Sequence, residues 1–273
     1  MGRLPRILVP GVIGIIQTLG VVFFRSERRR IYKNLFFIKG LPAHSSFAKL
    51  FADQVIRHQT ASTLEMLAYQ AGRDFITFEG EDGFREILHR FRADGKGAMV
   101  VTAHLGSWEL LGAMCAKHFP GGFHALAKPS RNEIGNFYIE KIRANLGVRV
   151  LWSNRKSILR DMLGVLRGND FLGFVMDQKP EGRKGPVVDF MGKPTEFVSG
   201  PARLAIQTNC GVVAAFCVRI APWRYRIISK VLLEPNHSFG DEQELTQVMA
   251  DEIGAQVGTY PEQWLWGYRR WRT

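Results

Sequence analysis

The sequence predicts an α/β fold, a helix-sheet-helix sandwich around a largely parallel sheet. From residue 98 onward, short apolar runs alternate with helical segments of about 10 to 14 residues, a pattern typical of that class. The 273 residues are 46% hydrophobic and 23% charged, which is enough apolar chain for one substantial core. We predict a membrane-anchoring helix over residues 1–25, followed by one domain over residues 26–273 that begins with a helical collar.

The central stretch of that domain is GAMVVTAHLGSWELLG, from Gly97 to Gly112. Its apolar, partly β-branched run at 98–103 predicts a buried strand, and Ser107 is placed to cap the helix that follows at 107–118. The later strands are predicted at 123–127, 148–152, 171–176, 212–220 and 225–233. The later helices are predicted at 132–145, 156–167, 199–208 and 242–259.

The N-terminal segment from Ile7 to Phe24 contains 18 residues without an ionisable side chain. As a helix it would be about 27 Å long, close to the roughly 30 Å of a hydrocarbon core. The basic cluster after it, from Arg25 to Arg30, favours a retained anchor over a cleaved signal peptide and puts the rest of the chain on the cytoplasmic side. A helix that lies in the membrane surface or is buried in the protein is the alternative.

Residues 26–91 form the predicted collar, with apolar residues at helical spacing. Leu41 and Pro42 interrupt the pattern, and Ser45 or Ser46 is placed to cap a second helix. The collar is rich in cations, which would either face anionic head groups or form a solvated basic face. These cations are Arg28, Arg29, Arg30, Lys33 and Lys39.

The charge balance restricts the partners. The chain has 37 Lys and Arg against 25 Asp and Glu, a net charge of +12, which favours anionic phospholipids, nucleic acid, phosphorylated substrates or an acidic carrier protein. The three cysteines stand in apolar surroundings without CxxC spacing, so we expect reduced core residues. They are Cys115, Cys210 and Cys217.

His104 and Glu109 are the first candidate catalytic residues. His104 would leave the carboxyl end of a strand, and Glu109 would lie in the first turn of the next helix, so that the turn between them could bring the side chains together. A neutral imidazole can accept a hydroxyl proton while a carboxylate on its far side fixes the tautomer. Otherwise His104 is a core histidine, and Glu109 is favoured in the first turn by the helix dipole.

Other chemistries fit this stretch less well. Ser107 lies in LGSW, which differs from the G-x-S-x-G elbow of α/β-hydrolases. His104, His118 and His124 lack a zinc-binding spacing, and the sequence has no Gly-rich phosphate loop. We therefore expect neither a metal nor a cofactor.

A second set of polar residues follows the predicted strand at 171–176. Asp177 and Gln178 emerge at its carboxyl end, the edge where open α/β sheets bind ligands and where His104 is also expected. The cations of the following loop, Lys179, Arg183 and Lys184, could bind phosphate or the acidic surface of a carrier. An ordinary turn with solvated charges is the alternative. The loop after the strand at 123–127 offers a similar anion-binding set with the same alternative: Lys128, Arg131 and Asn132.

The C-terminal stretch WLWGYRRW, from Trp264 to Trp271, interleaves aromatic and basic residues. It suits a head-group interface, where aromatic rings and cations both settle. The aromatic rings could equally cover the core, with Arg269 and Arg270 solvated. Nucleic-acid binding is disfavoured by the predicted apolar anchor.

Several motifs occur together in the order of a known family. They are HLGSWE (104–109), MDQKP (176–180), DFMGKP (189–194), SGPARLA (199–205) and WLWGYRRW (264–271), and RRRIYKNL (28–35) adds a further match. Together they resemble the late acyltransferases of lipid A biosynthesis, the lauroyl and myristoyl transferases related to glycerolipid acyltransferases. The resemblance covers about residues 28–271.

The resemblance implies a membrane-anchored enzyme on the cytoplasmic face of an inner membrane. Such an enzyme transfers an acyl chain from acyl carrier protein, or less often coenzyme A, to a hydroxyl of an anionic lipid acceptor. His104 is similar to the family's base and Glu109 to its partner carboxylate. The other site residues implied are Lys128, Arg131, Asn132, Asp177, Gln178, Arg183 and Arg203.

The sequence allows alternatives for the phosphate contact, the lipid acceptor and the class of protein. Lys128 stands where the family often has arginine, and a lysine supplies charge but no bidentate fork for a phosphate. The acceptor could be a lysophospholipid, a phosphatidylinositol mannoside or an aminolipid in place of a lipid A precursor. A membrane-attached protein that holds an anionic lipid without catalysis is the alternative of another class. Acyl chain length, donor preference and oligomeric state do not follow from the sequence.

Overall fold

The computed structural model describes residues 24–43, 45–72, 75–180, 185–268 and 270–271, together with residues 14, 16–18, 20 and 21. Most of the predicted anchor, Ile7 to Phe24, therefore lies outside the described residues. Among the residues that are described, no helix has the length and apolarity needed to cross a bilayer. The prediction of an anchor gains no support from the structure.

Helices and strands alternate through most of the chain. The helices are α1 Arg25–Lys39, α2 Ser46–Gln70, α3 Glu81–Ala93, α4 Trp108–His118, α5 Glu133–Asn145, α6 Ile158–Arg167, α7 Gly200–Thr208 and α8 Glu242–Thr259. The strands are β1 Thr77–Glu79, β2 Ala98–Thr102, β3 Phe123–Ala127, β4 Arg149–Trp152, β5 Phe171–Val175, β6 Val187–Phe190, β7 Lys193–Glu196, β8 Gly211–Ala221 and β9 Arg224–Leu233. Each helix and strand predicted from residue 98 onward is present, with ends that differ by two residues at most.

The central sheet has seven strands in the order β1-β9-β8-β2-β5-β3-β4. The five strands from β8 to β4 are parallel to their neighbours. Strand β9 is antiparallel to β8, and β1 pairs with β9 in parallel at the edge. Strands β9 and β1 therefore run opposite to the other five. The predicted α/β class with a largely parallel sheet is confirmed.

Both faces of the sheet are covered by helices, as the apolar pattern of β2 requires. Met99 and Val101 pack into one core with residues of α1, α2, α6, α7 and α8, while Ala98 and Val100 pack into the other with α3 and α4. Successive side chains of a strand point to opposite faces, so an apolar run without alternation indicates burial on both sides.

The collar is helical in part. Ser45 caps α2, because its hydroxyl oxygen accepts a hydrogen bond from the Ala48 backbone N–H at 3.1 Å. Strand β1 interrupts the helical pattern predicted over 26–91, where Thr77 to Glu79 pair with β9. The cations are also divided: Arg28 pairs with Asp53 and Arg30 with Glu27, whereas the other three expected to face head groups are exposed.

A buried ion pair fixes α2 to the sheet. Glu65 is fully buried and accepts two hydrogen bonds from Arg219 of β8, at 2.9 and 2.7 Å. The Tyr225 hydroxyl of β9 donates a third at 2.7 Å. Because each oxygen of this carboxylate is satisfied, the pair positions α2 against the sheet without leaving a buried charge unpaired.

Strands β6 and β7 form a separate hairpin that the sequence analysis did not predict. Its two-residue turn consists of Met191 and Gly192, both with positive φ, as a type I′ turn requires. The motif DFMGKP is therefore this hairpin turn. Its signal was weak because Asn-Gly or Asp-Gly, the usual sequences of such turns, is replaced here by Met-Gly.

The segment after α8 returns to the middle of the molecule. It forms a short 3₁₀ helix, Pro261–Gln263, and then an isolated antiparallel bridge between Trp264 and Leu105. Farther on, Asn34 of α1 donates its side-chain amide to the carbonyls of Trp266 and Tyr268. The segment thus links the helical collar to the loop that follows β2.

Candidate active site

The parallel strands bring the predicted polar residues to one edge of the sheet. Strand β2 lies beside β5 with Thr102 opposite Val175. Extending this register by two residues puts His104 level with Asp177. Since the carboxyl ends of parallel strands form the usual ligand-binding edge, this pair lies where a site is expected.

His104 and Asp177 are joined by two hydrogen bonds. The imidazole Nδ1 lies 2.7 Å from Asp177 Oδ1, and the His104 backbone N–H donates to Oδ2 at 3.1 Å. The Asp177 side chain is 3% exposed, whereas that of His104 is 18% exposed. The carboxylate is thus buried behind the ring, and the ring itself is partly exposed.

The hydrogen bond to Asp177 determines the histidine tautomer. An ionised carboxylate only accepts hydrogen bonds, so Nδ1 carries the proton and Nε2 holds a lone pair in the neutral ring. The Gln178 side-chain amide lies 3.5 Å from Nε2 and is its neighbour on the open side. The Trp108 ring packs edge-on against the imidazole, with centroids 4.8 Å apart, and limits its rotation.

Asp177 remains ionised although it is buried. Burial by itself would raise the pKa of this carboxyl, but the attraction of the His104 ring in its protonated form and the hydrogen bonds from His104 and Trp264 lower the pKa overall. The Trp264 indole N–H donates to Oδ2 at 2.7 Å. The aspartate can therefore hold its charge while the imidazole takes up and releases a proton.

Arg270 adds a buried positive charge on the same side of the molecule. It is 2% exposed, lies 4.4 Å over the Phe197 ring and donates to the Glu196 carbonyl at 2.7 Å. Burial lowers its pKa to about 10, and the Asp177 charge opposes that shift. The prediction that this arginine is solvated or at a head-group interface was wrong, whereas Trp264 and Trp266 are buried in the core. Arg269 is outside the described residues.

Glu109 forms hydrogen bonds with Arg143 and Trp108, and not with His104 as predicted. In the first turn of α4, its carboxylate accepts two hydrogen bonds from Arg143 of α5, at 3.0 and 2.7 Å, and one from the Trp108 indole at 3.1 Å. Such a bidentate pair is strong and fixes the direction of the carboxylate. The expected contact between His104 and Glu109 is replaced by one between His104 and Asp177.

The loop between His104 and Glu109 is shaped by Gly106. This residue has φ of 64° and forms a bridge with Cys217 of β8, so close that a Cβ would collide with the Cys217 carbonyl oxygen. Only glycine fits such a position without strain. Ser107 occupies the N-cap position of α4, but within the described structure its side chain makes no capping hydrogen bond, contrary to the prediction.

The other predicted site residues divide into three groups. Lys128 and Arg131 are exposed in the loop after β3, the strand next to β5 on the same sheet edge. Asn132 is used structurally, since its side chain caps α5 by accepting from the Gly135 N–H at 3.2 Å. Arg203 is bound on the surface by Glu242 of α8, and Arg183 lies outside the described residues.

The cysteines and possible metal ligands can be placed as well. All three cysteines are buried, as predicted, and burial raises the pKa of the Cys210 thiol to about 11. Among the described residues, no group of three or more His, Cys, Asp and Glu side chains could hold a metal ion.

Sequence reasoning missed four residues that build the site: Trp264, Gln263, Arg143 and Arg270. Gln263 is buried and exchanges hydrogen bonds with both backbone groups of Arg219, and its carbonyl accepts from the Gly106 N–H. The cluster of tryptophans after residue 263 was a sequence signal that could have indicated Trp264. Arg143 lies within an exposed helix 34 residues from Glu109, so that only the fold reveals their contact.

Comparison with known proteins shows the family of the chain and some of its relatives. Residues 15–273 match the family described as bacterial lipid A biosynthesis acyltransferase. A phosphatidylinositol mannoside acyltransferase of Mycolicibacterium smegmatis is 28% identical over 62% of this chain and 55% of its own length. A lipid A biosynthesis palmitoleoyltransferase of Escherichia coli is 26% identical over 74% of this chain and 63% of its own length. The matches thus cover less than two thirds of these relatives.

Proposed function

The chain belongs to the family of bacterial lipid A biosynthesis acyltransferases, and from this premise we propose that it transfers a fatty acyl chain from a thioester to a hydroxyl of a lipid. His104 is the general base, and Asp177 is its partner carboxylate. The observation that carries the proposal is the 2.7 Å contact between His104 Nδ1 and the buried Asp177, which in the neutral ring puts the lone pair on Nε2.

The reaction needs a base for the acceptor and an acid for the leaving group. His104 Nε2 accepts the proton of the acceptor hydroxyl as its oxygen attacks the thioester carbonyl carbon. The tetrahedral intermediate then collapses, the C–S bond breaks and the imidazolium returns the proton to the thiolate. Asp177 stabilises the imidazolium between these steps, a form of catalysis that contributes about 10² to 10⁴-fold.

Glu109 has a positioning role in this proposal. Together with Arg143 it fixes the first turn of α4, and it holds the Trp108 indole that packs against the imidazole. Gln178, 3.5 Å from Nε2, is placed to hydrogen-bond the acceptor hydroxyl or the thioester oxygen. The exposed cations Lys128 and Arg131 would bind a phosphate of the donor or acceptor.

The donor in this proposal is an acyl carrier protein or coenzyme A thioester, which is anionic in both cases and suits a chain of charge +12. The acceptor is a lipid A precursor or a related glycolipid, since the relatives are named for lipid A and for a phosphatidylinositol mannoside. The place of the reaction is the cytoplasmic face of the inner membrane. The proposal requires neither a metal nor a further cofactor.

The test is acyl transfer by purified protein supplied with acyl carrier protein or coenzyme A thioesters and candidate glycolipids. His104→Ala is expected to lower kcat by at least 10²-fold, while His237→Ala, in an exposed loop, serves as the matched control. Retained transfer in His104→Ala would refute the mechanism. Lipid binding without turnover by the unmodified protein would favour the non-catalytic alternative.

The acceptor is identified in cells. Mass spectrometry of lipids from a deletion strain is expected to show a glycolipid that lacks one acyl chain, and the mass of the remaining species gives the length of the missing chain. An unchanged set of glycolipids, with an altered phospholipid or aminolipid, would contradict the proposed acceptor class.

A further inference from the structure

Two neighbouring cavities lie along α2 on the side of the His104 loop. The outer cavity measures about 530 Å³ and is lined by Gly20, Phe24, Ile56 and Leu64 among others. The inner cavity measures about 180 Å³ and is lined by Met66, Gly106, Ser107, Trp108 and Leu265. Gln59 and Thr63 line both, so the two cavities form one groove that ends at Trp108.

The inner end of the groove lies next to the proposed base. Trp108 lines the cavity, and its ring packs against the His104 imidazole at 4.8 Å. Gly106 and Ser107, which also line it, belong to the loop that begins with His104. A molecule that fills the groove therefore reaches the immediate surroundings of the imidazole.

Gln59 is an unusual residue for a mainly apolar groove. Its side-chain Nε2 is buried, and it has no hydrogen-bond partner among the residues that the structure describes. Burying an amide without a partner is unfavourable, and a ligand that accepts a hydrogen bond from it would remove that cost. The groove thus combines mainly apolar walls with a buried amide between its two parts, and a turn of the Gln59 side chain would present this donor to a ligand.

The size of the groove suits a lipid. Ligand pockets usually measure about 300 to 1,000 Å³ and are mainly apolar with a few placed polar groups. The cavity on the other side of Trp108 and Glu109, between α4 and the sheet, measures only about 40 Å³. A fatty acyl chain therefore fits along α2, with Gln59 donating to the ester or amide carbonyl that links the chain to its head group.

The outer mouth indicates which lipid enters. Phe24 at the mouth is 54% exposed, and Phe36 on the same helical collar is 62% exposed. Glu27 of α1 also lines the outer cavity, but it is paired with Arg30. The charged residues of α1 that are exposed are all cations: Arg25, Arg29, Lys33 and Lys39. Exposed aromatic rings among cations are typical of a surface that meets anionic lipid head groups.

We propose that the groove along α2 is the binding site for an acyl chain of the lipid acceptor, and that Gln59 is the residue that recognises its carbonyl. This proposal rests on the proposed acyl transfer and adds the route of the acceptor to it. The acceptor enters from the lipid side past Phe24, and its free hydroxyl comes to lie beside His104. The thioester approaches from the opposite, aqueous side.

The first experiment tests occupancy without any need for turnover. The full chain is incubated with a glycolipid acceptor that carries a diazirine on its acyl chain, irradiated and digested with trypsin. Cleavage after Arg57 and Arg73 releases one fragment, 58–73, that contains every α2 residue beyond Ile56 that lines the groove. Label on this fragment, reduced by excess unlabelled acceptor, supports the proposal.

Variants locate the site more sharply. Gln59→Leu, which is nearly isosteric, is expected to raise the KM for the acceptor about tenfold while the KM for the thioester changes less than twofold. Thr63→Trp, at the junction of the cavities, is expected to lower the label on 58–73 by more than tenfold. Gln54→Leu, on an exposed position of the same helix, is the matched control.

Three results would overturn the proposal: no label on 58–73, label there from a diazirine thioester but not from the acceptor, or equal acceptor KM values for Gln59→Leu and Gln54→Leu. Circular dichroism and melting temperature show whether a variant is folded. If Thr63→Trp does not fold, Gln59→Leu alone carries the test. Competed labelling of 58–73 in a protein that transfers no acyl group would refute the proposed function and leave the lipid groove intact.

Discussion

Two carboxylates of the candidate site, Asp177 and Glu109, differ in what they bind. Asp177 is almost completely buried and holds the imidazole of His104 and the indole of Trp264. Glu109 is more exposed and is occupied by Arg143 and Trp108. Each has an arginine in its surroundings, but only that of Glu109 forms a bidentate pair. The carboxylate that is nearer to a histidine along the chain is therefore not necessarily the one that the histidine contacts.

The largest expected effect comes from Asp177→Asn. An amide cannot stabilise the imidazolium and can favour the wrong tautomer, a change that costs a comparable catalytic site about 10⁴-fold in kcat. We expect at least a 10³-fold loss, with a melting temperature that changes by a few degrees. Steady-state acyl transfer measures the first, and ¹⁵N NMR of the imidazole reports the tautomer. Asp94→Asn, at an exposed carboxylate after α3, is the control.

Glu109→Gln should lower kcat less than Asp177→Asn does if Asp177 is the partner of His104. It weakens the hold on Arg143 and Trp108 but leaves the contact between His104 and Asp177 in place, so we expect about a tenfold decrease in kcat. A double-mutant cycle with Arg143→Met should show a coupling of about 1 kcal/mol or more in unfolding free energy. A loss for Glu109→Gln larger than that for Asp177→Asn would reverse the assignment and restore the pairing predicted from sequence.

Arg270→Met tests the cation near Asp177. The lowered pKa of Arg270 means that its surroundings disfavour the charge on balance, even with the attraction of Asp177. Removing the charge at similar side-chain volume is therefore expected to raise the free energy of unfolding by about 1 kcal/mol. Urea denaturation measures it. A decrease of several kcal/mol would show that the favourable contacts of Arg270, including the attraction of Asp177, outweigh the burial of the guanidinium.

The pH dependence of stability tests the buried charge of Asp177. Because the folded-state pKa of Asp177 is below its ordinary value of 3.8, its ionised form stabilises the protein above pH 3.8. That contribution is lost as the pH falls through the folded-state pKa. The difference in unfolding free energy between the native protein and Asp177→Asn should therefore shrink at acid pH. A constant difference across this range would contradict the lowered pKa.

The smallest effect is expected at Arg203. Its pairing with Glu242 is exposed, and such surface pairs contribute about 0 to 1 kcal/mol. Arg203→Ala should lower the free energy of unfolding by about 0.5 kcal/mol and leave the KM values for donor and acceptor within twofold. A large increase in either KM would support the substrate-binding role that the family resemblance implies.

From residue 98 onward, the sequence was sufficient for the order of the helices and of the central-sheet strands and for the edge on which the site lies, but not for β1 or the β6–β7 hairpin. Apolar runs and helical periods identified β2 and β5, and the rule for parallel strands put His104 and Asp177 on one edge. It was insufficient for their contact, because no local pattern reveals that β2 and β5 are neighbours with Thr102 opposite Val175. The same limit applies to Arg270, since an aromatic and basic pattern fits both a surface and a core.

The hydrogen bond from Trp264 to Asp177 has a consequence for biosynthesis. Trp264 follows Asp177 by 87 residues. At a translation rate of about 5 to 20 residues per second, the ribosome needs roughly 4 to 17 seconds to deliver the indole after the aspartate. During that interval the nascent chain contains the proposed general base, His104, and its partner Asp177, but not the Trp264 indole that orients the carboxylate. Under the proposed function, the unfinished polypeptide should thus be inert towards thioesters, and the proposed acyl transfer should begin only once the tryptophan has been added and has docked.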